Sequence, residues 1–188
     1  MSKASLNMIS LPEIEVSSGF DGYILQEKEG ALEWSSPDGK IKLQYSNNWM
    51  DITQIAESSA KEAGISFPDS EVLLLAQRLD IQSQGVAFLI VLKFSNKETL
   101  ESILVKIEKE ALENNGEAIT NIVSSDESYA VLETTSEYPE VATSYSKSEV
   151  LFGKDKTYMV TFSVPTKDGG LYTQEIEEIF NSIIFQDY

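Results

Sequence analysis

The segment Val86-Ala87-Phe88-Leu89-Ile90-Val91-Leu92 is apolar at every position. A strand with one wet face alternates apolar and polar side chains, because successive side chains point to opposite faces of a sheet. Here Val86, Phe88, Ile90 and Leu92 share one face, and Ala87, Leu89 and Val91 share the other. Neither face is fit for water, so the strand through Phe94 belongs in the middle of a sheet covered on both sides. Glu71–Asp80 is the matching apolar run, and Gln82-Ser83-Gln84-Gly85 reads as the turn that folds the two together. Any fold of this chain must supply two covering layers.

Three helical patterns can supply them. Ser95-Asn96-Lys97-Glu98 has the spacing of a capping box, in which the Ser95 hydroxyl accepts from the Glu98 amide and the Glu98 carboxylate reaches back. It predicts a helix to about Asn114, with Leu100, Ile103, Leu104, Ile107 and Ala111 as the buried stripe and Asn115-Gly116 as the stop. An earlier helix, capped by Asp51 or Thr53, runs to about Ala63. Its inner face is Ile52, Ile55, Ala56, Ser59, Ala60 and Ala63, and Gly64 ends it. A last helix covers Leu171–Phe185, with Tyr172, Ile176, Ile179, Phe180 and Ile183 turned inward.

The remaining strands follow from turn chemistry. Pro37-Asp38-Gly39-Lys40 folds Ala31–Ser36 against Ile41–Tyr45, since proline presets φ and glycine tolerates the left-handed region. Ile41, Leu43 and Tyr45 then share one face; Lys40, Lys42 and Gln44 share the other. Tyr23–Gln26 reads as a first strand, followed by a Glu27–Gly30 turn in which Gly30 supplies a positive φ. Ala118–Val123, Ser128–Thr135, Ala142–Phe152 and Lys156–Val164 read as successive strands, the last two joined by a Gly153–Lys156 hairpin. The order predicts an α+β fold: a mainly antiparallel sheet with helices on both faces, an α/β/α sandwich. With 188 residues, the division is a Ser-rich flexible lead over residues 1–20 and a single domain over 21–188. A domain of that size buries roughly 70% of the surface of its unfolded chain, enough to fold without a disulfide or metal.

Residue types narrow the chemistry. The net charge of −17 repels phosphate backbones and anionic lipid, which argues against nucleic acid and against membrane docking. There is no histidine and no cysteine, so a Ser-His-Asp triad, a thiolate nucleophile and the usual zinc ligands are excluded. No apolar run of about 20 residues is present to span a bilayer. Met1–Pro12 lacks the continuous apolar core of a signal peptide. The compartment is left open: the cell envelope if an export signal has been removed, the cytoplasm otherwise, with the chain itself soluble.

Arg78 is the only arginine, and it interrupts the apolar strand Val72–Leu79. Either it grips an incoming carboxylate or phosphate, or it pairs with a neighbouring carboxylate such as Asp80 or Glu71. Carboxylates cluster at Glu108–Glu117, at Asp126-Glu127, at Glu133–Glu140 and at Glu175–Glu178. None has the alternation of a calcium loop, and all read as solvated surface. Nothing marks two of them as a facing pair for glycoside chemistry. Gly169-Gly170 reads as a loop before the last helix, without a phosphate-loop pattern. Trp34, Tyr45, Trp49, Tyr138 and Tyr145 either line a groove or pack at the sheet edge. Within Ile41–Thr53, the Tyr45-Ser46-Asn47-Asn48-Trp49 corner joins sheet to helix and offers the first place for a partner to bind. Tyr45, Asn48, Trp49 and Arg78 are therefore the candidate partner- or ligand-binding residues.

That corner and the chain's last elements resemble the PsbP-like superfamily, which includes the extrinsic PsbP subunit of photosystem II, small bacterial lipoproteins and a Ran-binding nuclear-import factor. The family places an aromatic, a proline and a tryptophan after a strand. Tyr45 and Trp49 keep that order, and Ser46 stands in the proline's place. The second anchor is the Val150–Val164 hairpin, a loop, and a helix closing in Asn181-Ser182-Ile183-Ile184-Phe185. The resemblance implies a twisted antiparallel sheet between helices, and a non-enzymatic binding or assembly-accessory role without a cofactor. Histidine-based metal sites of plant PsbP have no counterpart in a chain without histidine. The expected partner is a protein, and the expected state a monomer or weak dimer. The competing reading is a small-ligand or cation-binding protein with an acidic or aromatic pocket.

Overall fold

The computed structural model describes residues 30–62, 69–78, 86–138, 141–166, 170 and 172–187. The expected Tyr23–Gln26 strand, the Gln82–Gly85 turn and the Ala63-Gly64 helix end lie outside them. The chain opens with a hairpin of β1 (Ala31–Ser35) and β2 (Ile41–Ser46), then β3 (Trp49–Asp51) and α1 (Thr53–Glu62). β4 (Ser70–Arg78) and β5 (Phe88–Phe94) lead to α2 (Leu100–Glu113). Four strands follow: β6 (Glu117–Ser125), β7 (Tyr129–Tyr138), β8 (Val141–Phe152) and β9 (Thr157–Pro165). α3 (Thr173–Asn181) and a short β10 (Ile184–Phe185) close the chain.

A seven-stranded antiparallel sheet in the order β3-β4-β5-β9-β8-β7-β6 carries the fold, with a separate sheet β1-β2-β10 beside it. β5 is internal, as its two apolar faces require. Its Leu89 and Val91 are fully buried, together with Ala87, whereas Phe88, Ile90 and Leu92 on the other face are half-buried. The first face is covered by α3 and the small sheet: Ile41, Leu43, Tyr45, Ile176 and Ile179 pack on Leu74, Leu89, Val160 and Phe162. The second is covered by α2, whose Ile103 meets Phe94, Ala130, Leu132 and Val150, with Leu100, Leu104 and Ile107 beside them. The chain is therefore α+β, with an antiparallel sheet between helices.

The Pro37–Lys40 turn forms as read. Gly39 has φ of 70° and its amide donates to the Ser36 carbonyl at 2.8 Å. The hairpin pairs Leu32 with Tyr45 and Trp34 with Leu43. Its Ile41–Tyr45 face is buried, but against a different sheet from the one it hydrogen-bonds within.

Five local expectations change. Gly30 is not in the left-handed region, and a Cβ there would meet only the amide end of the exposed Asn47 side chain, which can swing aside. Trp49 lies within a strand, because Met50 and Asp51 continue into register with Gln77 and Ala76. Ile55 on α1 is 57% exposed instead of inward, while Ile52, just before the helix, is buried. The cap of α2 is Thr99, whose side chain accepts from the Ser102 amide at 3.2 Å. Ser95 and Glu98 are used elsewhere: the Ser95 carbonyl takes Lys156 Nζ, and the Glu98 amide donates to Thr157 Oγ1 at 2.8 Å. α3 ends at Asn181, where Ser182 Oγ accepts from the Gln44 amide at 2.8 Å. The chain beyond it pairs Ile184 with Lys42 instead of extending the helix.

Candidate functional site

The Trp49 corner is built by α3 as much as by the strands. Trp49 on β3 and Arg78 on β4 are register partners. Both reach Glu175, in the first turn of α3. Glu175 Oε1 accepts from Trp49 Nε1 at 2.9 Å, from Ser46 Oγ at 2.9 Å, and from Arg78 Nη1 in an ion pair. Arg78 Nη1 also donates to Ser46 Oγ at 3.3 Å, and the guanidinium lies 5.8 Å from the Tyr172 ring centroid. The Trp49 ring meets Phe162 edge-on at 5.7 Å, and Phe162 in turn meets Tyr172 at 5.9 Å.

The arrangement is a clasp. One carboxylate oxygen gathers three donors from β2, β3 and β4 and ties them to α3. The Arg78 and Glu175 side chains are only 16% and 18% exposed, so the guanidinium is neutralised within the protein instead of presented to solvent. Arg78 Nε and the Tyr172 hydroxyl are buried without a partner among the described residues. The Arg78 counter-charge is thus Glu175, 97 residues away, and not Glu71; Asp80 lies outside the described residues. Tyr45 is buried in the core, where burial and the nearby charge of Asp51 push its hydroxyl pKa up. Asn48 occupies the turn between β2 and β3, half-buried.

The opposite end of the small sheet is held by a second polar cluster. Asp38 accepts from Lys93 Nζ at 2.7 Å and Tyr158 Oη at 2.9 Å through Oδ2, and from Ser36 Oγ at 2.7 Å through Oδ1. Burial opposes ionisation, but the hydrogen bonds from Lys93, Ser36, Tyr158 and the Lys40 amide hold its carboxyl well below the usual range. Beside it, Lys40 Nζ meets Asp187 Oδ1 at 2.6 Å. The hairpin is therefore pinned to the main sheet at both ends, with Ile41, Leu43 and Tyr45 packed between.

A shallow groove lies where α3 leaves β7 and β8 uncovered. It has a volume of about 280 Å³ and is walled by Glu133, Tyr145 and Lys147 on the strands and by Thr173, Ile176 and Glu177 on the helix. Lys147 Nζ sits 5.4 Å from the Phe180 ring centroid. Burial, then the charge of Glu133 and its hydrogen bond, push the Tyr145 hydroxyl up to about 12. Among the described residues, no three carboxylates are placed to hold a metal ion. No helix there is long and apolar enough to cross a membrane.

Sequence reasoning selected Trp49 and Arg78 but assigned Glu175 to a solvated acidic face. The available signal was its spacing. Glu175 follows Tyr172 by three residues and precedes Ile179 by four, so it borders the apolar stripe of α3. Of the aromatics, Tyr45 and Trp49 belong to the core and Trp34 and Tyr145 pack against it; Tyr145 also walls the groove.

No family model and no curated protein matches the sequence. Among solved structures, the chain is similar to cyanobacterial PsbP (CyanoP) from Synechocystis sp. PCC 6803, with 12% identity and a TM-score of 0.58 over 89% of this chain and 98% of that one. It also matches a protein from Bacteroides thetaiotaomicron VPI-5482, with 15% identity and a TM-score of 0.45, over 82% of this chain and 48% of that one. The fold of this chain is PsbP-like.

Proposed function

We propose that the chain is a non-enzymatic binding or assembly-accessory domain, a single unit over residues 21–188 that works through contact with a protein partner. One observation carries the reading. Val105 and Leu112 on α2 and Ile119, Ile122 and Val123 on β6 are all strongly exposed, between 49% and 67%, on neighbouring elements. Exposed apolar side chains on adjoining elements of a charged protein mark a contact surface, here on both faces of the β6 edge strand, since alternation sets Ile119 on the face opposite Ile122. Two of the candidate residues, Trp49 and Arg78, are by contrast occupied in the Glu175 clasp. The PsbP-like fold favours an accessory role by analogy alone. The Asn48 corner serves as a contact edge, shaped from beneath by Tyr45, Trp49 and Arg78.

Photo-crosslinking in cells tests this. A photoreactive residue at position 112 or 119 should give a discrete adduct with another protein, and one at the exposed Ile55 should not. Bare monomer from every surface position would overturn the reading. The groove supports a second reading, a small cationic ligand held by Glu133, Glu177 and Tyr145. Saturable heat on titration with a polyamine, lost in Glu133→Gln/Glu177→Gln, would favour it.

A further inference from the structure

We propose that the outer edge of β6, from Glu117 to Ile122, docks an extended lysine- or arginine-bearing segment of a partner protein, added to the sheet as a further strand. The proposal rests on the protein-binding reading above and names its surface and chemistry.

β6 ends the order of the large sheet, and β7 alone pairs with it among the described residues. An edge strand presents a row of free backbone N–H and C=O groups, and proteins usually blunt such edges with charge or proline. Here the strand itself is Glu117-Ala-Ile-Thr-Asn-Ile122, with one charge at its start and no proline. Ile119 is 67% exposed and Ile122 49%. The register with β7 is unbroken from Glu117↔Glu137 to Ile122↔Leu132 and then shifts before Ser124. The flat template is therefore Glu117–Ile122, and the bulge sets where an added strand must stop.

Charge selects the occupant. Glu117 stands directly opposite Glu137, and Asn121 opposite Glu133, on the face that also carries Ile119. Between Val105 and Tyr138 the chain has eight carboxylates against two lysines, Lys106 and Lys109. A second copy of the chain brings another −17 to the same edge and is repelled. An incoming strand that alternates a cation, an apolar residue and a cation on this face puts one ammonium or guanidinium group beside Glu117 and the other beside Asn121, with the carboxylates of Glu137 and Glu133 one strand further in on the same face. It lays the apolar side chain on Ile119, while its main chain takes the edge groups of β6 that have no strand partner among the described residues.

The probe is an acetylated, amidated Lys-Thr-Val-Thr-Lys-Thr peptide, titrated into the isotopically labelled chain and followed by NMR. Three arms decide the outcome: the peptide itself, its Glu-for-Lys counterpart, and a version N-methylated at alternate amides, which keeps the charge and removes strand pairing. Shifts confined to 117–122 and the adjoining β7 residues are expected, with binding weakened roughly tenfold or more by N-methylation and absent for the Glu peptide. Glu117→Lys/Glu137→Lys should reverse the preference between the Lys and Glu peptides, with the far-ultraviolet spectrum and melting temperature unchanged. Equal binding of the N-methylated peptide, or shifts spread over the whole acidic surface, would overturn the proposal in favour of plain charge attraction. A concentration-dependent dimer abolished by Ile119→Lys would overturn it in favour of a second copy. A partner adduct at position 119 with a failed peptide titration would remove strand pairing and leave the protein-binding reading standing. The absence of adducts from every surface position would remove that reading instead.

Discussion

Trp49 and Arg78 face each other across β3 and β4, and their side chains converge on the same oxygen of Glu175. The pair is joined through the helix as well as through the sheet. The tryptophan that marks the corner in the sequence is thus a donor in a polar clasp as well as a core residue, 3% exposed.

Removing Glu175 should cost more than removing a surface carboxylate. Glu175→Ala leaves Arg78 mostly buried without its counter-charge and strips Trp49 Nε1 and Ser46 of their acceptor. The expected loss is about 2 kcal/mol, between the values for exposed and fully buried pairs. Arg78→Met/Glu175→Leu should be more stable than Glu175→Ala, because neither member is stranded. Urea melts of the single and double variants would decide it; strictly additive losses would show that the clasp is not coupled.

Asp38 gives the protein an acid-sensitive joint. Its carboxyl is held below the usual range in the native state, so the unfolded chain takes up a proton, near pH 4, that the native residue resists. This contribution is present above that pH and is lost as the pH falls further. Asp38→Asn should cost about 1 kcal/mol at neutral pH and flatten the dependence of stability on pH below 4. It should not abolish that dependence, because Glu98, Asp126 and Asp187 are also held low. Urea midpoints of both proteins at pH 7, 4 and 3 provide the test.

The parts of this architecture that the sequence made readable are those set by side-chain period. β5 announced its central position because Leu89 and Val91 alternate with Ile90 and Leu92 without a polar residue. The α2 stripe and the inner face of α3 followed from 3.6-residue spacing in the same way. What escaped was decided by contacts far along the chain. Glu175 reads as one more acid in Glu175–Glu178 until β3 and β4 bring Trp49 and Arg78 to it. Ile183-Ile184-Phe185 fits a continued helix until Lys42 offers a strand register. Ser95 fits a cap until Lys156 claims its carbonyl.

Tyr145 and Tyr158 should be the last hydroxyls to titrate. Burial and Glu133 push Tyr145 up to about 12, and burial together with Asp38 pushes Tyr158 higher still. In the unfolded chain both ionise near 10, so their contribution to stability is complete below that pH and is lost as the pH rises through the native values. Ultraviolet titration of the native protein should show a late phase, distinct from the exposed tyrosines. Glu133→Gln should move part of that phase to lower pH, and a single transition near 10 would contradict the geometry.

The end of α2 yields a pair of opposite expectations. Asn115 has φ of 57°, and the Gly116 amide donates to the Ala111 carbonyl at 2.8 Å while the Asn115 amide donates to Leu112 at 3.0 Å. This is a Schellman ending in which asparagine occupies the left-handed position that glycine usually takes. Gly116 serves a different need, since a Cβ there would lie 2.6 Å from the Glu137 carbonyl and closer still to the Tyr138 ring. Asn115→Gly should therefore leave stability unchanged or raise it by up to about 0.5 kcal/mol, and Asn115→Ala should lower it by about 1. Gly116→Ala should lower it by about 1–3 kcal/mol through overpacking against β7, since the obstructing Glu137 carbonyl is backbone and cannot swing aside. Thermal melts of the three variants would test the assignment, and a neutral Gly116→Ala would show that β7 yields at this point.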